Sequence, residues 1–429
     1  ATTISASGQD ITLDEAASTF GTLVLTGANV AVIENAATDL GASTVSGTLG
    51  ITSGGAITDS GTLVITGAST FTNTAGTNHA ITLDDSSNVF SGTVAFSTDS
   101  GSAVTLVDTT SVDLQALNAG SLNVNVGGAV TDSGTLAITG VTTINASGQN
   151  ITLDEAASTF GTLALTGANV TVTENAATDL GASTVSGTLG ITSGGAITDS
   201  GTLAITGAAT FTNTAGTNDA ITLDDSSNTF SGTVAFATDS GSAVTVVDTT
   251  DLDLQAMTVG SLSVTAGGAV TDSGTLGISG ATTINAGTAD ITLDESASTF
   301  GTLALTGANV AVTENAATDL GASTVSGTFG LTSTGAVTDS GTLAITGATT
   351  ISASGQNITL DAGSSTFGTL TLTGANIAVT ESAATDLGMT TASGTLSITS
   401  SGAITDSGTL AVTGASNFTN SAGANDAIT

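Results

Sequence analysis

The chain carries 36 Asp and Glu residues, a single His and no Lys or Arg. Acid groups are therefore the first chemistry to test. Adjacent carboxylates recur, as Asp14-Glu15 and Asp84-Asp85, and two carboxyls are what a glycoside hydrolase needs. Two features argue against catalysis. Neighbouring residues of a strand point to opposite faces. The pairs also return in every unit except the last, where Asp361 is followed by Ala362. An active site is a unique constellation, whereas these are repeated decoration. A polysaccharide lyase would need a Lys or Arg, and there is none. His79 is the only imidazole, and its counterparts in other repeats are Asp219 and Asp426. It reads as a surface loop variant, without partners for a Ser–His–Asp system or a zinc cluster. The expectation is no enzyme, with no catalytic, cofactor-binding or metal-ligating residues.

The acids also form series. One is Asp14, Asp84, Asp154, Asp224, Asp294 and Asp361. A second is Asp59, Asp132, Asp199, Asp272, Asp339 and Asp406, each within Thr-Asp-Ser-Gly. A third is Asp39, Asp179, Asp319 and Asp386, paired with Glu34, Glu174, Glu314 and Glu381. Calcium held by oxygen ligands at corners is one reading. Turn chemistry, with Asp bonding the backbone ahead of it, is the favoured one. The Gly-Gly-x-Gly-x-Asp nonapeptide of calcium-binding β-rolls does not occur. Weak, diffuse association with Ca2+ or other divalent cations remains the expected ion chemistry. The formal charge of −36 spread along a rod of roughly 85–90 Å approaches the linear density of duplex DNA.

Those acids sit on a repeating frame. Ile11-Thr12-Leu13-Asp14 returns at Ile81, Ile151, Ile221, Ile291 and Ile358. Two unit types alternate, with Phe20-Gly21 in one and Phe90-Ser91 in the other, in the order A, B, A, B, A, A. Within each unit the apolar residues have period 2, as in Leu23/Leu25, Val30/Val32 and Leu49/Ile51. That is the strand signature, and a helical period is absent. The steps from Ile11 to Val30, Ala56 and Ile81 suggest coils of about 23 residues. The fold class expected is all-β: a right-handed parallel β-helix (β-solenoid) of about 18 coils in 67–73-residue sequence repeats. It forms one continuous array over residues 1–429, a fragment of a longer chain. Length differences fall in loops, such as Asn73–Ala80 against Asn145–Asn150. Gly is expected to support tight corners at positive φ. The missing Pro suits strands paired on both edges. The Phe series at 20, 90, 160, 230, 300 and 367 reads as core filling. A β-sandwich or a coiled coil fits poorly, because aromatic residues make up only 3% of the chain and heptads are missing.

Composition excludes several partners. Nucleic acid needs Lys or Arg on its phosphates, and an anionic membrane is disfavoured for the same reason. No apolar run approaches the ~18 residues that span a bilayer, so no membrane insertion is expected from this segment. No Cys is present for disulfides or thiolate metal sites, and no signal peptide is visible.

The alternation of Asp-Ile-Thr-Leu-Asp, Phe-Gly-Thr-Leu-x-Leu-Thr-Gly-Ala-Asn-Val and Gly-Ala-Ile-Thr-Asp-Ser-Gly-Thr-Leu resembles the β-strand repeats of giant bacterial exoproteins. These are the filamentous-haemagglutinin-like adhesins. The resemblance covers essentially the whole chain. It implies a structural shaft of an extracellular fibre or adhesin at the bacterial cell surface. The partners it suggests are further copies, joined end to end or side by side, with divalent cations or surface glycans as the alternative.

Overall fold

The period-2 pattern becomes strands with one buried edge. In Leu49–Ser53 the side chains of Leu49, Ile51 and Ser53 face inward, and Gly50 and Thr52 face outward. The computed structural model describes residues 1–74, 76, 78–214, 216–421 and 427–429. Among these residues there are strands and turns but no helix, and the strands pair in parallel. A parallel neighbour must come from a later turn of the chain, so this pairing builds a coil.

The chain divides into two compact units, Ala1–Ala215 and Gly216–Thr429. Each is a parallel β-solenoid. In the first, one ladder climbs eleven rungs from Ile11–Leu13 to Ala209–Asn213. In the second, the matching ladder has ten, beginning at Thr233–Ala237. The chain therefore makes about 21 turns, more than the 18 expected, so the average turn is shorter than 23 residues. Val30 lies beside Leu49, Leu49 beside Ser69, and Val112 beside Val130. A wide step, Ser69 to Val94, takes up the loop after Asn73. The expected anchors misjudged the coil because they mixed two faces. Ile57–Asp59 is not stacked on Val30 but lies in the opposite sheet, beside Thr38–Leu40.

The same mixing conceals a half turn. Ile11–Leu13 lies in the sheet that contains Val30–Glu34. Ile81–Leu83, 70 residues later, lies in the other sheet between Ile57 and Val104. Ile151–Leu153 is back in the first. In the second unit Ile291–Leu293 and Ile358–Leu360 again occupy different sheets. One sequence repeat is three and a half turns.

Most turns have one long strand with one or two short ones. Four long strands stack in one sheet: Val30–Glu34, Leu49–Ser53, Ser69–Asn73 and Thr93–Ser97. The next four stack in the other: Ala103–Asp108, Ser121–Val126, Val141–Asn145 and Thr162–Gly167. Their inward side chains form continuous columns. One column holds Val32, Ile51, Phe71 and Phe96, and the last two rings stack at 5.8 Å. Phe90 adds an edge-on contact to Phe71 at 6.0 Å.

Only six glycines of the described residues have positive φ: Gly8, Gly76, Gly148, Gly216, Gly287 and Gly355. The expected corner role thus covers a minority. Most others are needed where backbones stack too closely for a Cβ. A methyl at Gly140 would sit 2.5 Å from the Gly120 carbonyl, and one at Gly161 2.5 Å from that of Gly140.

Candidate functional site

The recurring polar residues fasten one turn to the next. At the end of its long strand, Glu34 continues the inward parity of Val30 and Val32 and is buried. Its Oε1 accepts the Phe20 N–H at 2.5 Å, and its Oε2 accepts the Thr38 hydroxyl at 2.9 Å. Glu174 repeats this with Phe160 and Thr178, and Glu381 with Phe367 and Thr385. Glu314 holds the Phe300 N–H at 2.9 Å, while Thr318 donates instead to Ser333. In the other repeat type Asp108 and Asp248 take over. They accept the N–H of Phe90 and Phe230 at 3.2 and 3.3 Å, and each also binds the backbone and hydroxyl of the Thr two residues on. All six Phe residues of the series thus have their backbone N–H capped by a carboxylate. Beyond Phe20, which is half-buried, those rings are buried.

Burial pushes five of these acids toward their neutral form. Glu174 is raised to about 7, although the Phe160 N–H and the Thr178 hydroxyl favour its charge. Burial raises Glu314, Glu381, Asp108 and Asp248 in the same direction.

The Thr-Asp-Ser-Gly turns bond both ways along the stack. Asp59 Oδ1 accepts the N–H of Asp84 in the following turn at 2.8 Å, and Asp132, Asp272 and Asp339 do the same for Asp154, Asp294 and Asp361. Ser60, one residue on, donates to Asp39 of the preceding turn at 2.9 Å, and Asp39 also accepts the Thr22 hydroxyl. Burial, reinforced by the charges of the following acidic pair, raises Asp132 and Asp272 to about 6. At another corner Asp10 Oδ1 accepts from Asn29, whose own Oδ1 accepts the N–H and hydroxyl of Thr48.

These placements sort the three series. Asp14 and Asp154 border one sheet and Asp84 the other, so the first series is not a column. In the second, Asp59, Asp132, Asp272 and Asp339 bond the backbone of the next turn, so turn chemistry there operates between coils. In the third, Glu34 points into the core and Asp39 outward, so the expected pair is not brought together. Among the described residues no three His, Cys, Asp or Glu groups gather closely enough to hold a metal ion. His79 lies half-buried in the corner loop, its carbonyl accepting from Asn73 Nδ2 at 3.1 Å. Its counterpart Asp219 accepts the Thr217 hydroxyl at 2.5 Å, and Asp426 lies outside the described residues. No helix among these residues is long and apolar enough to cross a membrane. The structural roles of Asp108 and Asp248 escaped the sequence reading, although both share parity with the inward Val104/Leu106 and Val244/Val246.

Parallel coils, half-turn repeats and turn-to-turn polar ladders define a β-solenoid repeat protein. The chain belongs to the family of repeats of unknown function DUF5649, matched at residues 27–97, 101–166, 167–237, 241–306, 307–373 and 374–429. The segment 27–97 encloses one block of four long strands, and 101–166 holds the next block apart from Gly167 at its end. The family's repeat therefore begins 16 residues after the Ile-Thr-Leu-Asp anchor of an A unit and 20 after that of a B unit. Comparison with curated proteins and with solved structures finds no match.

Proposed function

We propose that this chain is a structural spacer, a section of shaft in an extracellular fibre or adhesin at a bacterial cell surface, and that it performs no catalysis. The observation that carries this reading is how its polar groups are used. The recurring Asp, Glu, Asn and Ser side chains bond the adjacent turn, as in Phe20–Glu34, Asp59–Asp84 and Asp39–Ser60. A binding or catalytic protein keeps polar groups free for a ligand, whereas a shaft uses them to join coil to coil. Stability then grows with the number of neighbouring turns. The extracellular setting rests on the resemblance to filamentous-haemagglutinin-like repeats. A chain without Lys or Arg also offers no site to trypsin-like proteases.

Electron microscopy of the parent surface material, with and without EDTA, tests this. Thin shafts that carry separate knobs and ignore EDTA are the expected result. Sheets or bundles that disperse in EDTA would replace the spacer reading with one in which cation bridges between copies are the function. A second reading, a glycan-binding face, draws on one recurring feature. A shallow groove lined by Phe96, Thr98, Leu117, Asn118, Thr135 and Ala137 recurs in the second unit around Phe236 and Met257. Glycan-array binding by the isolated chain would favour it over the spacer.

A further inference from the structure

Six carboxylates occupy the same kind of corner in a chain that has no Lys or Arg anywhere. Glu34, Asp108, Glu174, Asp248, Glu314 and Glu381 are each at most 2% exposed, and each holds a Phe N–H from the preceding turn. A buried charge needs a counter-charge or a proton. No side chain but His79 could carry a positive charge, and the caps described for these acids do not involve it. We propose that Asp108, Glu174, Asp248, Glu314 and Glu381, among these corner carboxylates, make the solenoid a proton-responsive shaft, loosest when they are ionised and tightened as they take up protons.

The groups around them support this. Facing Glu174 are the Phe160 N–H, the Thr178 hydroxyl and, one turn on, Ser193. The ionisable residues on the elements packed against it are Asp154 and Glu155 in the turn before Phe160, and Asp179 beside Thr178. All are acids. Asp132, in its Thr-Asp-Ser-Gly turn, faces Asp154 and Glu155, with Asp113 on the strand below. Asp272 faces Asp294 and Glu295, with Asp253 below. Every neighbouring charge therefore opposes ionisation, as burial does. A protonated corner keeps one oxygen to accept the Phe N–H, so the cap survives neutralisation.

The sign follows by linkage. A carboxyl raised in the folded chain binds its proton more tightly there than in the unfolded chain. Its stabilising effect is complete below the ordinary carboxylate range. It is lost as pH rises through the folded value, about 7 for Glu174 and about 6 for Asp132 and Asp272. The window is therefore pH 4 to 7, and stability falls across it as pH rises.

Thermal unfolding of the full chain, followed by circular dichroism between pH 5 and pH 8, tests the proposal. The Tm is expected to be higher at pH 5 by several degrees, and the difference should persist in 0.5 M NaCl. Surface repulsion is screened at that salt, whereas buried groups are screened far less. Glu174→Gln and Glu381→Gln, made together, should raise the Tm at pH 8 and shrink the pH 5 to pH 8 difference. A flat or inverted pH profile overturns the proposal. So does a profile erased by salt, or one that the Gln pair leaves unchanged. Infrared titration of the wild-type chain stands independently of how the variants fold. A protonated-carboxyl band remaining at pH 6 is expected, and complete ionisation at that pH would refute the idea.

Discussion

A hydroxyl marks the third long strand of most blocks. Ser69, Thr142, Thr282 and Thr349 point into the core, are at most 1% exposed, and leave their oxygens without a partner. Each lies in an apolar column: Thr142, for example, sits between Leu122 and Leu163. An unpaired buried hydroxyl costs more than an isosteric methyl, and the third block shows the remedy, since Ala209, still in the first unit, fills the matching position beside Leu189. Thr142→Val and Thr282→Val should each stabilise by about 0.5–1 kcal/mol, read as a higher urea midpoint with an unchanged slope. A lower midpoint would mean that the hydroxyl is satisfied in solution. At this scale the sequence was partly legible. Period 2 alone places Glu34 on the inward side with Val30 and Val32. The expectation that carboxylates belong at solvated corners overrode that parity. The cap on Phe20 could not be read from residues 14 apart, because it depends on which turn stacks on which.

At the scale of the element, the strands were legible and their assignment to faces was not. An Ile-Thr-Leu triplet presents the same inward pair from either sheet, so its sequence does not say on which side of the coil it lies. The turn length was lost for that reason. The glycines show the same gap between pattern and cause. Gly120, Gly140 and Gly161 form a column in which the Gly140 N–H donates to the Gly120 carbonyl at 2.8 Å, and their φ values are ordinary. Close approach of backbones, not left-handed conformation, excludes a side chain there. Gly140→Ala should therefore destabilise by about 1–3 kcal/mol through forced separation of turns. Gly50 is the contrast, since a Cβ there meets nothing nearer than the Val30 carbonyl at 3.9 Å. Gly50→Ala should be neutral or stabilising by up to about 1 kcal/mol, because it reduces the freedom of the unfolded chain. Equal losses from the two substitutions, measured by urea unfolding, would show that strand entropy and not stacking distance governs these positions.

For the molecule as a whole, the half-turn repeat sets what can be added or removed. The A unit at Ile291 is followed directly by another A unit at Ile358, and the anchor changes sheet just as it does from Ile11 to Ile81. Either sheet thus accepts an A unit. Removing residues 81–150 from the first unit would join Ala80 to Ile151 and place an A unit where a B unit stood. The local bonds have ready replacements. Asp59, which accepts the Asp84 N–H, would meet that of Asp154, which Asp132 now accepts. Asn88 Oδ1, which accepts the Leu63 N–H, would be replaced by Ser158 Oγ, which already does this for Leu136. The Phe90 N–H would give way to that of Phe160, with its own cap on Glu174. This 70-residue deletion should keep one cooperative transition, with a Tm within a few degrees of the parent. Removing residues 91–150 is the control. It takes out about three whole turns and so preserves the faces, but it joins Phe90 to Ile151 and separates the corner from its cap. That chain should lose cooperativity or melt far lower. If it instead unfolds as sharply as the 70-residue deletion, the single turn and not the three-and-a-half-turn block is the unit from which the solenoid is built.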